Sequence, residues 1–278
     1  MKILMVGDVV GKSGRDAIAA HLPDLRQRLD LDFVVVNGEN AAHGFGITDK
    51  ICASFYQLGA DVITTGNHVW DQREIMNYIG GDPKLLRPLN YPAGTPGNGF
   101  GVYQARDGRK VLVMHAMGRL YMDPLDDPFS AIERVMVQHA LGVQVQAILM
   151  DFHGEASSEK LAMGHFLDGR VSAVVGTHTH VPTADYQILV GGTAYQTDLG
   201  MTGDYDSVIG MKKRTATERF TTKLPQGRLE PAEGEATLCG LYVETDDKTG
   251  LATVSVPVRI GGRLSQAVPS GDATIAAS

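Results

Sequence analysis

The chain has little cysteine: two residues in 278, Cys52 and Cys239, far apart and with no CxxC partner. Neither carries the spacing of a thiolate metal site or a redox motif, so two buried thiols are expected. Long apolar runs are also lacking. The N-terminal stretch Met1 to Val6 is cut at Gly7-Asp8, too short for the apolar core of a signal peptide. No segment approaches the roughly 20 apolar residues needed to cross a bilayer, and the expected compartment is the cytoplasm, with no membrane partner. Positive charge is not in excess either. Lys and Arg number 25 against 32 Asp and Glu, a formal net charge of −7, which argues against a broad surface tracking long nucleic acids. A small anionic substrate remains open if a local positive centre meets it, and bound metal ions are one way to supply that centre. There is no repeat of solenoid length and no low-complexity tract.

What is present is an ordinary globular composition, 43% hydrophobic and 21% charged, in a chain long enough to bury a sizeable core. One domain is expected over residues 1–264, with a flexible C-terminal tail over 265–278 that is small and polar enough to fray. Strand, loop and helix patterns alternate from the start. Lys2 to Val6 reads as a strand and Arg15 to Leu29 as a helix that Pro23 kinks or breaks. Phe33 to Val36 is a strand, and Thr48 is placed to cap a helix running to about Leu58. A third unit has Val62 to Thr65 as strand and Asp71 to Ile79 as helix. Gly80 to Gly99 reads as a long loop. Phe100 to Ala105 and Lys110 to Met114 form a hairpin, with Phe129 to Ala140 as the helix that follows. Then come strand Ala147 to Met150, loop Asp151 to Gly154, helix Ser157 to Leu167 and strand Val171 to Val175. This alternation predicts an α/β fold with mostly parallel strands in the first part. The last third, with Tyr186 to Gln196 broken at Gly191-Gly192 and with Thr237 to Glu244 and Leu251 to Ile260 flanking Asp246 to Gly250, predicts antiparallel strands. That C-terminal β region is expected to cover the site or to serve as an interface in a homo-oligomer.

Chemistry-bearing residues recur at the same point of each unit. Val175-Gly176 leads into His178-Thr179-His180, two imidazoles spaced to point the same way from an extended backbone. Asp8, Glu39 with Asn40, Asn67 with His68, and His153 each follow the carboxyl end of an expected strand. In open α/β sheets ligands bind outside those ends, so residues remote in sequence should converge there. Any one of them has a simpler explanation as a turn residue, a helix cap or a hydrogen-bonded histidine; five in register predict a metal cage. About eight donors exceed the need of one tetrahedral ion and suit two ions sharing a carboxylate, for which Glu39 is the candidate bridge. Oxygen and imidazole donors without thiolate favour iron or manganese, with zinc next. His21, His43, His115, His139 and His165 lack the strand-end context. Gly7 to Ser13 imitates a phosphate-binding loop, but with three residues between its glycines where that motif requires four.

Gly7-Asp8, Asn37-Gly38-Glu39-Asn40, Gly66-Asn67-His68, His153-Gly154 and Gly176 to His180 resemble, in order, the motifs of the calcineurin-like metallophosphoesterases. Two departures matter. That family has Asp-x-His at the first motif and Gly-Asp at the second, whereas here Asp8 precedes Val9-Val10 and the second motif is Gly38-Glu39-Asn40. Both departures, with Asp198 to Gly203 and Asp206 to Gly210, resemble the bacterial YmdB-like branch, regarded as 2′,3′-cyclic-nucleotide phosphodiesterases. The resemblance implies a layered αββα sandwich in which Asn40 replaces the missing histidine. It implies one ion held by Asp8, Glu39, Asn40 and His180, and another by Glu39, Asn67, His153 and His178.

Two close ions imply hydrolysis by a bridging hydroxide with in-line displacement. The leaving ribose alkoxide needs a proton, for which His68 is the candidate general acid; its other reading is a histidine that fixes Asn67. Phe45, Arg119 and Tyr205 are candidate substrate-binding residues. The expected substrate is a small phosphodiester, a 2′,3′-cyclic nucleotide opened to a 3′-nucleotide. Alternatives are a phosphomonoesterase, a phosphodiesterase acting on RNA ends, and a regulatory metal- or nucleotide-binding protein with weak catalysis.

Overall fold

The computed structural model describes residues 1–224 and 227–269. Its first sheet is built from β1 (Lys2–Val6), β2 (Phe33–Asn37), β3 (Val62–Thr64) and β4 (Leu85–Leu86). These four run parallel in that spatial order. The second sheet holds β5 (Phe100–Gln104), β6 (Lys110–Met117), β7 (Ala147–His153), β8 (Ala173–Thr177), β9 (Gln187–Ile188) and β10 (Ala194–Gln196). Strands β6, β7, β8 and β10 are parallel, and β5 and β9 flank them antiparallel. The helices are α1 (Gly11–Arg28), α2 (Asp49–Gln57), α3 (Ile75–Tyr78), α4 (Pro128–Met136), α5 (Ser157–Leu167) and α6 (Lys213–Thr222).

A two-residue period explains the layers. In β1, Ile3 and Met5 face the second sheet while Leu4 and Val6 pack with Ile18, Leu22 and Leu25 of α1. In β7, Ala147 and Leu149 face inward while Ile148 and Met150 pack with Ile132 of α4 and Met163 of α5. Each sheet therefore buries one face against the other sheet and one against helices, giving the expected αββα order. Of the C-terminal stretches expected to be antiparallel, Tyr186 to Gln196 is so only in part, since β9 and β10 pair antiparallel while β10 joins β8 parallel; the others are found as β12 (Ala236–Thr245) and β13 (Ala252–Ile260), with β11 (Gly203–Asp204) pairing to β12. They form no separate layer, because β12 pairs with β1 and extends the first sheet.

Several local expectations are corrected. Helix α1 begins at Gly11 and runs unbroken through Pro23. Its small first-turn residues look like a loop in sequence, yet a Cβ at Gly14 would meet the carbonyl oxygen of Thr202 at 2.3 Å, so only glycine lets the turn pack there. Pro23 and Ala19 are both exposed, and water replaces the missing helical bond. Strand β7 continues through His153, placing Asp151 and His153 in the sheet instead of a loop. Helix α3 is a single turn followed by a 3-10 turn over residues 79–81, because Asp71 is engaged by the His68 ring and Gln72 by the Phe45 carbonyl. The stretch read as a long loop contains β4, and α6 was not anticipated. Thr48 caps α2 as expected, its Oγ1 accepting from Ile51 N at 3.3 Å. Both cysteines are buried thiols. Of the expected tail, Ala267 pairs back onto Arg259, and residues 270–278 lie outside the described residues. Among the described residues no helix is long and apolar enough to cross a membrane.

The closest backbone approach beneath the site is at Gly176 in β8, where a Cβ would lie 1.8 Å from the carbonyl oxygen of Thr197. Gly176→Ala is expected to cost about 3 kcal/mol or more in unfolding free energy. Denaturant unfolding checks this; a loss within experimental error would show that β8 and β10 can separate freely.

Candidate metal centre

The inner face of the sandwich is apolar along most of its length and turns polar at one end. The same period that buries Phe33 and Val35 brings Asn37 to the inner face of β2; Val62 is followed by Thr64 in β3, and Ala147 and Leu149 by Asp151 and His153 in β7. Val111 and Val113 are followed by His115 in β6, and Ala173 and Val175 by Thr177 in β8. The ligand candidates extend from this polar floor. Asp8, Glu39, Asn40 and Asn67 come from loops after β1, β2 and β3, whereas His153, His178 and His180 come from the ends of β7 and β8. The site thus joins both sheets, outside the carboxyl ends of their strands.

Asp151 is the centre of the floor. It is buried, and its carboxylate accepts from Asn37 Nδ2 at 3.0 Å, from Thr64 Oγ1, and from Thr177 Oγ1 at 2.7 Å. Asn37 Oδ1 accepts from Glu39 N at 3.0 Å. Thr177 Oγ1 accepts from His153 Nδ1 at 2.9 Å. One carboxylate therefore positions both the Glu39 turn and the His153 ring, and it presents Nε2 of that ring to the cage.

Around His153 Nε2 stand Glu39 Oε2 at 2.7 Å, Asn67 Oδ1 at 3.1 Å and His178 Nδ1 at 3.1 Å. One proton on Nε2 cannot serve three acceptors, whereas a cation attracts every lone pair in the group. Glu39 Oε2 and Asp8 Oδ1 are buried and lack a well-aligned hydrogen-bond partner. A Cβ at Gly66 would fall 2.6 Å from Glu39 Oε2 and 2.4 Å from His153 Nε2, so the chain there must be bare to leave room. Glu39, His153 and His178 offer ligand atoms all within 4.8 Å of one another. The residues present fit a metal.

The protonation states agree. Burial pushes the Asp8 carboxyl up to about 6, against the pull of His180 and His153. Burial also opposes a charged Glu39, but His153 outweighs it and holds that carboxyl well below its usual range. His153 itself is raised to about 9, since Glu39 and Asp8 overcome the burial that opposes its charge. Burial and then His153 lower His178 to about 3. Glu39 and His153, shifted in opposite directions, face each other as a buried pair at 2.7 Å.

The remaining expected ligands lie beside this group. His178 N donates to Asp8 Oδ2 at 3.1 Å, and Asn40 Nδ2 lies 3.0 Å from His180 Nε2. His180 Nδ1 donates to the Ile209 carbonyl at 2.8 Å, which turns Nε2 toward the cage. His178 Nε2 lies 3.3 Å from Glu155 Oε2, which leaves Nδ1 for the metal. Between these two histidines, Thr179 N and Oγ1 donate to Asp198 Oδ2 at 3.1 and 2.8 Å. The same carboxylate is paired with buried Lys160 at 2.7 Å.

A cavity of about 300 Å³ opens from the cage, lined in part by Glu39, His68, Phe45 and Glu155. His68 stands at its edge: its backbone N donates to Glu39 Oε1 at 2.8 Å, and its Nδ1 lies 2.8 Å from Asp71 Oδ2. Asp71 orients the ring and leaves Nε2 free to exchange a proton. Phe45 also borders the cavity, edge-on to His68. Two substrate candidates are not brought to it. Arg119 pairs with Asp127, and its backbone N is held by Glu159. Tyr205 lies behind the ligands, its hydroxyl donating to the carbonyls of Met201 and His180.

Sequence reading missed Asp151, Glu155, Lys160, Asp198 and Asp71. For Asp151 a signal existed: two residues before His153 in one strand, it must share that residue's face. His115 is buried beside the cage with its Nδ1 donating to the Asp151 carbonyl.

Residues 4–257 match the family model described as "YmdB-like protein". The chain is 50% identical over 249 residues to the 2′,3′-cyclic-nucleotide 2′-phosphodiesterase of Bacillus subtilis (strain 168), covering 90% of this chain and 93% of that protein. Among solved structures, it superposes on a hypothetical protein from Thermus thermophilus with a TM-score of 0.87 and 41% identity, over 95% of this chain and all of that one. A structure titled as a novel phosphatase from Mycoplasma pneumoniae matches with a TM-score of 0.87 and 32% identity, over 94% and 93% of the two chains. The family match covers most of both sheets, and the chain belongs to the YmdB-like protein family.

Proposed function

We propose that the protein is a cytoplasmic, dinuclear metal-dependent phosphodiesterase that opens 2′,3′-cyclic nucleotides to 3′-nucleotides. The observation that carries this reading is the convergence of Glu39, His153 and His178 on one point at the mouth of a cavity. The activity named for the B. subtilis relative supports the substrate class. Asp8, Glu39, Asn40 and His180 would hold one ion, and Glu39, Asn67, His153 and His178 the other. Iron or manganese suits this donor set best, and zinc next.

When bound, such a pair supplies an activated water near neutral pH and positive charge for the phosphoryl oxygens. The chain does the rest. Asp151, through Asn37 and Thr177, keeps Glu39 and His153 in place before substrate arrives. His68 reaches the cavity with its Nδ1 held by Asp71. It is the group that delivers a proton to the departing ribose 2′-oxygen, the bond cleaved being that between phosphorus and the 2′-oxygen.

Chromatography of products from 2′,3′-cyclic AMP, with metal-free and manganese- or iron-reconstituted protein, tests this directly. Metal-dependent 3′-AMP, abolished in Asp8→Asn, is expected; metal-loaded protein that leaves the substrate intact would rule this substrate out. For His68→Ala, turnover of the cyclic nucleotide should fall by about 10²–10⁴-fold, with a much smaller loss on a p-nitrophenyl diester whose leaving group needs no proton. An equal loss on both substrates would remove the acid role.

Asp8→Asn also separates stability from binding. The folded pKa of Asp8 is about 6 against an ordinary 3.8, so ionising it costs the metal-free fold stability as pH rises from about 4 through 6. Metal-free Asp8→Asn should therefore unfold at higher temperature than the parent at pH 7, by the equivalent of about 1–3 kcal/mol, with the difference shrinking toward pH 4. Added manganese should stabilise the parent more than the variant. Scanning calorimetry across that pH range reads both effects, and a difference that does not change with pH would show that Asp8 is not strained by its burial.

A further inference from the structure

Ile209 has a backbone that its side chain resists. Its φ is 47°, in the left-handed region where a β-branched residue crowds its own carbonyl. The side chain is nevertheless 54% exposed, so burial in a core does not compensate for the strain. The Ile209 carbonyl has a clear task, accepting from His180 Nδ1. A glycine at the same φ would present that carbonyl equally well and without strain. The ligand contact therefore accounts for the backbone and leaves the isoleucine unexplained.

The side chain lines the cavity, on a wall shared with Phe45, Met211 and Leu229. Phe45, Met211 and Leu229 belong to one packed cluster, so the wall has a firm backing, and Ile209 stands beside it as an apolar surface open to solvent. Beyond the ligands, the polar lining is His68, Glu155 and Thr179; among the described residues no Lys or Arg lines the cavity. The site has one place for anionic charge, at the cage, and next to it an apolar wall without a second phosphate-binding centre. That matches a single phosphoryl group joined to an uncharged, flat, largely apolar group.

Resting on the cyclic-nucleotide reading, we propose that Ile209, with Phe45 and Met211, forms a platform for the nucleobase of a nucleoside carrying one phosphate on its ribose. The platform holds the base by its face, and every base has such a face. The enzyme therefore accepts all four bases and disfavours nucleotides with additional phosphates.

The test compares full-length, manganese-loaded parent, Ile209→Gly and Ile209→Val. The substrates are the four 2′,3′-cyclic nucleoside monophosphates and ribose 2,3-cyclic phosphate, which has the same reacting bond and no base. In the parent, KM for the four nucleotides should agree within about tenfold. In Ile209→Gly, the ratio of kcat/KM for cyclic nucleotide to that for the base-free ester should fall about tenfold, as expected for losing the apolar contact of one partly buried isoleucine side chain, through KM. Ile209→Val should restore most of it. Calorimetric binding of 3′-AMP and of ribose 3-phosphate gives a readout that needs no turnover. A preference for 3′-AMP in the parent, lost in Ile209→Gly and kept in Ile209→Val, supports the platform even if neither cyclic ester is hydrolysed, a result that would overturn only the proposed reaction. Equal binding of the two phosphates by the parent, or an unchanged preference in Ile209→Gly, overturns the platform. Manganese affinity within about threefold of the parent would show that the His180 contact survives in the glycine variant.

Discussion

The structure depends on one buried carboxylate. Asp151 sits where the two sheets meet, and its oxygens receive Asn37 from β2, Thr64 from β3 and Thr177 from β8. A lone carboxylate in that position would be prohibitively costly to bury; three donors in good geometry make it tolerable and tie four strands to one point. Its influence reaches the cage by two short relays. Through Asn37 it fixes the turn that carries Glu39, and through Thr177 it fixes the ring orientation of His153. Such a network, fully satisfied, rigidifies what it touches.

Above that floor the chain gives up stability for readiness. Asp8 Oδ1 and Glu39 Oε2 are buried without a well-aligned hydrogen-bond partner, and His178 and His180 have φ of 99° and 65°. Backbone in that region persists only when its surroundings over-determine it. Here the surroundings are Asp198 gripping Thr179 between the two histidines, Lys160 neutralising Asp198, and Ile209 holding His180 from outside. Lys160 and Asp198 are both about 1% exposed, so neither can be lost without leaving the other as an unpaired buried charge. The close grouping of carboxylates and imidazoles is thus held in place from outside by these partners.

Polarity is then distributed by depth. The cage holds the charge-binding groups, His68 and Glu155 stand at the rim, and Phe45, Ile209, Met211 and Leu229 supply an apolar side. One end of the cavity therefore suits a phosphoryl group and the other an uncharged one, within about 300 Å³, the lower end of the range for small-molecule sites.

The layered α/β class was legible in the sequence, and so was the gathering of chemistry at strand ends. Strand periodicity is local, and motif residues lie beside the strand ends that position them, so Glu39, His153 and His178, which the fold brings together, could be named from order alone. The Thr48 cap was legible for the same reason. Only the tertiary structure decided that the ligands come from two sheets, because strand order in space is set by packing between segments more than 100 residues apart. Two-residue strands such as β4 and β11 carry too little pattern to be read, and α6 buries only Ala216, so it has no apolar stripe to announce it. Asp151, Asp198 and Lys160 act through partners distant in sequence, and Arg119 was drawn away from the site by Asp127 only eight residues on. A side chain's chemistry is written in its residue type, but its partner is chosen by the fold.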